Sequence, residues 1–139
     1  MAWYHDYLDA WNANDEKRVL SFFAEDCRYY DHTIGEEYFG HPGIALFLKR
    51  AFLLSSDHRI TPLNFFQSGQ NWASESEFGG THDGSLNGLP VSGRPFKFRV
   101  ASVGALNSEG KVLFNRDYWN MVEFLVCVGM MPPPPAPSG

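Results

Sequence analysis

The sequence predicts an α+β fold in which a curved, mostly antiparallel β-sheet is packed against N-terminal helices. Helical patterns of apolar residues occur only before Ser55, and most of the strand patterns follow it. Elements segregated in this way are typical of α+β domains, whose helices lie on one face of the sheet. A curved sheet covered on one face forms a cone, and we expect its open end to hold a pocket under the helices.

Three helices are predicted. The first covers residues 2–13, and its aromatic side chains recur at helical spacing at Trp3, Tyr7 and Trp11. The second is short and follows Asp15, a favourable N-cap. Its apolar residues are Val19, Leu20, Phe22 and Phe23. The third has Pro42 in its first turn and the clearest periodicity of the chain. Its apolar residues are Ile44, Phe47, Leu48, Ala51 and Phe52.

Five strands are predicted from β-favouring residues between turn signals. They cover residues 27–33, 58–67, 71–82, 94–106 and 111 to about 128. The short connection NSEG indicates an antiparallel hairpin between the last two strands. The chain ends in MPPPPAPSG, a polyproline-type extension with no core residues. We therefore expect one domain over residues 1–129 and a disordered, proline-rich tail over residues 130–139.

Composition and charge exclude several classes of function. The net charge is −5, with 11 basic and 16 acidic residues and no basic cluster, which argues against a nucleic-acid partner. No apolar segment is long enough to cross a bilayer, and the N-terminus lacks the apolar run of a secretory signal, so we expect a cytoplasmic protein without a membrane partner. Cys27 and Cys127 are expected to be reduced core residues.

The sequence lacks the motifs of metal and nucleotide sites. The five histidines form no HxxxH or HExxH spacing, and CxxC, GxGxxG and P-loop motifs are missing, so we expect neither a metal nor a cofactor. Aromatic residues make up 16% of the chain. That share suits a core, and it also suits a pocket for a flat apolar ligand.

The stretch GKVLFNRDYWN holds the first candidate for chemistry. It begins as a buried strand and then carries Asp117 next to the aromatic residues Tyr118 and Trp119. A carboxylate in an apolar cavity is costly unless it is paired, and this cost is what tunes an acid or a base. The alternative is an ordinary surface aspartate, paired with Arg116 or Lys111.

Strand alternation groups the remaining candidates by face. Arg99 shares a face with Lys97 and Ala101, and opposite Asp117 it would hold the carboxylate ionised or stabilise an oxyanion. The alternative is an outward arginine in a charged pair.

On the first predicted strand, Tyr29 and Asp31 share one face, and Tyr30 and His32 share the other. We expect one of these pairs to point into the cone. The alternative is that core tyrosines leave the acid and the histidine in solvent.

Three further residues are candidates for substrate binding. His82 precedes a turn in GGTHDG and either transfers protons or serves as a turn residue. Trp119 is expected in the aromatic wall, and Asn120 either orients a substrate or starts the C-terminal segment. No GxSxG nucleophile elbow occurs. Carboxylate, arginine, tyrosine and histidine together favour proton transfer over covalent acyl chemistry.

Four stretches resemble the SnoaL-like polyketide cyclases of the nuclear-transport-factor-2-like superfamily. They are FFAEDCRYYDH, GHPGIALFL, GGTHDGSLNGLPVSGRPFKFR and GKVLFNRDYWNMVEFLVCVG. The resemblance covers residues 11–129 and implies an α+β cone with a curved sheet around a pocket. The superfamily includes polyketide cyclases, ketosteroid isomerase, limonene epoxide hydrolase, dehydratases and non-catalytic members.

The resemblance also implies roles for individual residues. Asp117 in RDYW matches an acid/base aspartate of the cyclases and the epoxide hydrolase, and Arg99 matches the arginine paired with it in the epoxide hydrolase. Tyr29 and Asp31 match a tyrosine and an asparagine that hold the attacking water in that enzyme. Ala101 stands where the epoxide hydrolase has its second aspartate.

These observations lead us to expect a cofactor-independent enzyme of secondary metabolism. Its substrate is an apolar, oxygenated, polycyclic small molecule, and its reaction is a cyclisation or isomerisation in which Asp117 takes or gives the proton. Arg99, Tyr29 or His82 would stabilise the enolate or alkoxide. One alternative is epoxide hydrolysis with Asp31 replacing the missing carboxylate, and another is a non-catalytic ligand-binding domain.

We also expect a homodimer that forms through the convex face of the sheet. Strands carrying Phe65, Phe66, Phe96 and Phe98 would otherwise expose apolar patches to water. Patches of this kind usually mark contacts between proteins.

Overall fold

The computed structural model describes residues 2–85 and 88–137. They form four helices and one curved, unclosed sheet of six strands. The helices are α1 (Ala2–Asn12), α2 (Glu16–Leu20), α3 (Gly40–Leu54) and α4 (Met121–Cys127). The strands are β1 (Phe23–Asp31), β2 (Glu36–Phe39), β3 (Arg59–Ser68), β4 (Asn71–Thr81), β5 (Pro95–Leu106) and β6 (Val112–Trp119). Their order in the sheet is β2-β1-β6-β5-β4-β3, and every pair is antiparallel except β1–β6. The predicted α+β fold with a mostly antiparallel curved sheet is confirmed.

The three N-terminal helices form where the apolar spacing predicts them. α1 buries one face, and Asp15 caps α2 because its Oδ1 accepts a hydrogen bond from the backbone N of Arg18 at 3.1 Å. α2 is shorter than expected and ends at Leu20. Phe23 leaves the helix because its backbone pairs with Val112 and starts β1.

The C-terminal segment differs from the sequence prediction. The long strand predicted over residues 111–128 ends at Trp119, and α4 follows it. Asn120 causes the change, since its side chain accepts hydrogen bonds from the backbone N atoms of Val122 at 3.0 Å and Glu123 at 3.4 Å. A short apolar run cannot be assigned to helix or strand by its periodicity alone. The four-residue strand β2 was also not predicted.

The helices define an inner face of the sheet, on which the core lies. α1 and α3 bury residues such as Tyr7, Trp11 and Leu48 against this face. Under α4, a second apolar cluster contains Phe96 and Phe98. The concave inner face is therefore closed by helices from both ends of the chain, and this arrangement encloses the cavity described below.

The four phenylalanines expected on the outer face do not lie there together. Phe96 and Phe98 are buried on the inner side, and Phe65 packs against the main core. Phe66 is the outward one, with 62% of its surface exposed. That part of the expectation is wrong because the apolar phase of β5 faces the core.

The remaining expectations concern the cysteines, the tail and membranes. Cys27 and Cys127 are free thiols, and Cys27 is buried. Residues 132–137 are exposed and lie in neither helix nor strand, while residues 138–139 of the proline-rich tail lie outside the described residues. Within residues 2–85 and 88–137, no helix has the length and apolar character needed to span a membrane.

Candidate active site

A cavity of about 230 Å³ lies between the inner face of the sheet and helices α1, α3 and α4. Aromatic and aliphatic side chains make up most of its wall. The aromatic residues include Tyr7, Trp11, Trp72, Phe78, Phe98 and Phe124. A small set of polar groups interrupts this lining, as is usual for a site that binds a small apolar molecule.

Asp117 is a buried carboxylate of the cavity wall. On β6, the side chains of Asn115, Asp117 and Trp119 alternate onto the inner face, while Arg116 and Tyr118 point outward. Only 7% of the Asp117 surface is exposed. The strand phase therefore delivers a carboxylate into an apolar cavity.

Three donors hold the Asp117 carboxylate. Its Oδ1 accepts hydrogen bonds from Ser102 Oγ at 2.6 Å and from Asn115 Nδ2 at 2.8 Å, and its Oδ2 accepts one from the Tyr29 hydroxyl. A carboxylate offers about four lone-pair sites. Both sites of Oδ1 are occupied, so the free lone pair of Oδ2 is the position left for a substrate proton.

Burial outweighs these hydrogen bonds and raises the pKa of Asp117 from 3.8 to about 6. The bonds from Ser102, Tyr29 and Asn115 lower the pKa, and the nearby charge of Asp31 raises it. A carboxyl group with this pKa can both accept and return a proton near neutral pH.

Asp31 is a second buried carboxylate beside Asp117. The two residues are register partners on the parallel strands β1 and β6, so their side chains share the inner face. Trp119 Nε1 donates to both oxygens of Asp31, at 3.0 and 3.1 Å, and the backbone N of Thr33 donates to its Oδ1 at 3.1 Å. Burial raises the pKa of Asp31, and these hydrogen bonds oppose the rise.

Two buried tyrosines face the same carboxylate. Burial and the charge of Asp117 raise the pKa of Tyr29 and of Tyr7 well above the ordinary value, so both hydroxyls stay protonated. The Tyr29 hydroxyl donates a hydrogen bond to Asp117. Tyr7, which extends from α1 into the cavity wall, supplies a hydroxyl that can act as a hydrogen-bond donor for a ligand.

A charged cluster lies at another part of the cavity wall. Arg50 Nη1 donates to Glu36 Oε2 at 2.7 Å and to the Tyr38 hydroxyl at 3.0 Å. Among the described lining residues, Arg50 is the only lysine or arginine. Its ion pair with Glu36 balances its charge.

Arg99 does not pair with Asp117, so this expectation is wrong. Arg99 is exposed on the outer face of β5, where Glu77 of β4 is its register partner. The residue of β5 that stands opposite Asp117 is Ser102. Phe98 fixes this phase because it is buried, and its neighbour Arg99 must then point outward.

The pair from β1 that enters the cavity is Tyr29 and Asp31. Tyr30 and His32 lie on the outer face, where their rings are 4.0 Å apart and the His32 ring stacks on Tyr118 at 4.4 Å. The expectation that Tyr30 and His32 contact the substrate therefore does not agree with their position.

His82 and Asn120 also lie away from the cavity. His82 is completely buried, with its Nδ1 2.9 Å from Ser92 Oγ and its ring edge-on to Phe124, and it is not among the cavity-lining residues. The Asn120 side chain is used as the N-cap of α4. Trp119 lines the cavity as expected and positions Asp31.

The sequence analysis missed several polar residues of the site. Ser102, Asn115 and Tyr7 surround Asp117, and Ser74 and Ser76 of β4 lie further along the same floor. The available signal was their phase, since each serine alternates with outward residues and shares a face with buried aromatic side chains.

The described residues offer no arrangement for a metal ion. Within residues 2–85 and 88–137, His, Cys, Asp and Glu side chains do not form a group of three that could hold one.

The sequence profile of the SnoaL-like polyketide cyclases matches residues 2–126. The chain belongs to this family. Membership supports a cyclase- or isomerase-type role. No protein of curated function matches the sequence.

Solved structures share the fold of this SnoaL-like chain. A candidate SnoaL-like polyketide cyclase from Jannaschia sp. CCS1 has a TM-score of 0.81 at 17% identity, over 93% of this chain and 90% of that one. IdmH of Streptomyces antibioticus, a candidate polyketide cyclase, has a TM-score of 0.77 at 20% identity, over 90% and 94%. A protein with a ketosteroid isomerase-like fold from Catenulispora acidiphila, in complex with trimethylamine, has a TM-score of 0.76 at 22% identity, over 91% and 92%. At these identities the likeness establishes the fold alone.

Proposed function

We propose that this protein is a cofactor-independent enzyme that cyclises or isomerises an apolar, oxygenated small molecule by general acid/base catalysis. The supporting observation is the carboxylate of Asp117, which lies in an apolar cavity with a pKa of about 6 and one free lone pair on Oδ2. The membership in the SnoaL-like polyketide cyclase family agrees with this type of reaction.

In the first step, Asp117 Oδ2 takes a proton from a carbon next to a substrate carbonyl. The electrons of the C–H bond form a C=C bond, and the carbonyl oxygen becomes an enolate oxygen. Tyr7 donates a hydrogen bond to this oxygen, because its hydroxyl lines the cavity and stays protonated. Tyr29 is committed to Asp117 and acts as a positioning residue.

The second step decides between the two reactions. In an isomerisation, Asp117 returns the proton to a different carbon of the extended enolate. In a cyclisation, the enolate carbon forms a bond to a second carbonyl carbon of the same molecule, and the resulting alkoxide takes the proton from Asp117. The negative charge of Asp31 favours both sequences, because it raises the pKa of Asp117 and makes it a stronger base.

The proposal can be tested with 2-tetralone, a bicyclic ketone with acidic C–H bonds, in D₂O. We expect the wild-type protein to accelerate the deuterium exchange that NMR detects at the carbon next to the carbonyl. Asp117→Asn should slow this exchange by at least ~10²-fold, the usual contribution of a general base. The variant should bind 2-tetralone within about tenfold of the wild type, a difference of ~1.4 kcal/mol, because Asn has nearly the shape of Asp.

Arg99→Ala is the matched control for this experiment. Arg99 is on a neighbouring strand but faces outward, so its removal should leave the exchange rate unchanged. An Asp117→Asn protein as fast as the wild type would remove the assignment. A wild-type protein that binds 2-tetralone without accelerating exchange would favour a non-catalytic binding domain.

Epoxide hydration is a second candidate, favoured by the position of Asp31 beside Asp117. Asp117 would take a proton from water, the water oxygen would attack an epoxide carbon, and the C–O bond of the epoxide would break. A protonated Asp31 would then give its proton to the leaving oxygen, which yields a diol. With 1-methylcyclohexene oxide in H₂¹⁸O, this reaction would give a diol with one labelled oxygen at an enzyme-dependent rate.

A further inference from the structure

A second polar area lies on the cavity floor, apart from Asp117. On β4, Ser74 and Ser76 face the cavity between two aromatic residues, and they are only 4% and 6% exposed. Tyr4 of α1 lines the same cavity, and its hydroxyl forms hydrogen bonds with both serines. Burial raises the pKa of Tyr4, and these two hydrogen bonds oppose the rise. We call Tyr4, Ser74 and Ser76 the hydroxyl patch.

The sheet register places the hydroxyl patch at a defined distance from Asp117. Asp117 of β6 is the partner of Ser102 of β5, and Ser102 is the partner of Ser74 of β4. Neighbouring strands lie 4.7–4.9 Å apart, so two spacings separate Asp117 from Ser74 by roughly 10 Å. Ser102 lies between them, and its hydroxyl already donates its hydrogen bond to Asp117.

The chemistry of the patch points to a neutral oxygen group. Hydroxyls both donate and accept hydrogen bonds, so they match a ligand hydroxyl or carbonyl. An anionic ligand group is disfavoured, because the one lining cation among the described residues, Arg50, is paired with Glu36 and Asp117 lies on the same floor. The hydrogen bonds between Tyr4 and the two serines use only part of the bonding capacity of the patch, because each hydroxyl has one donor and two acceptor sites. A ligand oxygen can therefore still bond to it.

The cavity volume limits what can span the two polar areas. An engineered apolar cavity of about 150 Å³ holds one benzene ring. The cavity of about 230 Å³ in this protein is about half as large again. A molecule of two fused rings therefore fits a cavity of this volume.

We propose that the substrate is a neutral, roughly bicyclic molecule that carries an oxygen function at each end, and that the hydroxyl patch binds the end remote from Asp117. Tyr4, Ser74 and Ser76 are then specificity-determining residues. The assignment of the other end to Asp117 rests on the proposed function.

The test compares two probes that differ by one hydroxyl, 2-naphthol and 2,6-dihydroxynaphthalene, by calorimetric titration at neutral pH. We expect the wild-type protein to bind the diol about tenfold more tightly, which corresponds to ~1.4 kcal/mol. The double variant Ser74→Ala/Ser76→Ala should lose this preference and bind 2-naphthol within about twofold of the wild type. Glu75→Ala is the control, because Glu75 lies between the two serines on β4 and faces outward.

The outcomes separate the patch from the catalytic proposal. Asp117→Asn should keep the preference for the diol. A wild-type protein that prefers the diol but does not accelerate 2-tetralone exchange would remove the proposed reaction and leave the patch in place. Equal affinity of the wild type for both probes, or an equal loss for both probes in the serine variant, would overturn the patch. If the double variant does not fold, Tyr4→Phe carries the test, and its loss must again be specific to the diol.

Discussion

Replacing Asp117 with Asn should change how the stability of the fold depends on pH. The pKa of Asp117 is about 6 in the folded protein and 3.8 in its ordinary state, a rise of about two units. At ~1.36 kcal/mol per unit, the folded state therefore loses ~3 kcal/mol of stability from this one group when it ionises. This magnitude is a large part of the total stability of a typical domain.

The sign follows from which state holds the proton more tightly. Between the two pKa values the folded protein is protonated at Asp117 and the unfolded chain is not, so folding is favoured at low pH. The contribution is fully present below about pH 4 and is lost as the pH rises through about 6. Asp117→Asn cannot titrate, and its stability should lack this component.

Urea denaturation of both proteins at a series of pH values between about 4 and 8 measures the effect. The free energy of unfolding of the wild type should fall by ~3 kcal/mol more than that of Asp117→Asn over this range. Asp31 titrates in both proteins, so most of its contribution cancels in the comparison. Parallel curves for the two proteins would refute the argument that burial sets the pKa of Asp117.

Asp57→Asn is a control of opposite sign for the same measurement. Hydrogen bonds from the backbone N of Thr81 and from the side chains of Ser55 and Thr81 lower the pKa of Asp57. Its contribution to stability is present above the ordinary pKa and is lost as the pH falls through the lowered value. The variant lacks this contribution at every pH, so the slopes of the two curves should differ only in the acidic range, where the curve of the variant should be the flatter one.

Three further predictions concern the carboxylate, the C-terminal helix and the outer face. Tyr29→Phe removes a hydrogen bond that stabilises the ionised carboxylate, so the pKa of Asp117 measured by ¹³C NMR should rise by roughly one unit; an unchanged or lower value would contradict this role. Asn120→Ala removes the N-cap of α4 and should lower the free energy of unfolding by about 1 kcal/mol, whereas an unchanged value would show that the cap is dispensable. We also expect a homodimer through the outer face, where Phe66 and Tyr118 are exposed: light scattering should give twice the chain mass, Phe66→Ser should shift it toward the monomer, and a monomeric wild type at micromolar concentration would count against the dimer.

Much of the fold could be predicted because its signals are local. The spacing of Trp3, Tyr7 and Trp11 and the N-cap at Asp15 depend on neighbours along the chain, and both predicted helices are confirmed. The segment after Trp119 could not be assigned in this way, since its apolar residues suit a strand as well as a helix. Whether this segment forms a helix depends on one polar side chain, Asn120, which caps α4, and on the packing of α4 over the apolar cluster that contains Phe96 and Phe98.

The site was predicted in part, and its errors have a common cause. Asp117, Tyr29 and Asp31 lie together, but the partner expected for Asp117 was Arg99 and the partners found are Ser102, Asn115 and Tyr29. Cross-strand neighbours depend on register, and register depends on pairing between segments that are distant in sequence. A single sequence carries this information only indirectly.

Strand phase nevertheless gives a rule that would have excluded Arg99 from the site. Side chains alternate across a strand, and in β5 the phase that contains Phe96 and Phe98 must face the core, because two phenylalanines would otherwise be exposed. The same phase continues to Ser102 and excludes Arg99, whatever the register of the neighbouring strands. A polar residue that shares the phase of buried aromatic residues is placed in an apolar environment, and there it needs a partner, which is either another side chain or a ligand. Ser102 and Asp117 satisfy this need by binding each other, and Ser74 and Ser76 satisfy it with the Tyr4 hydroxyl, which by our proposal leaves the remaining donor and acceptor sites of the three hydroxyls to a substrate oxygen.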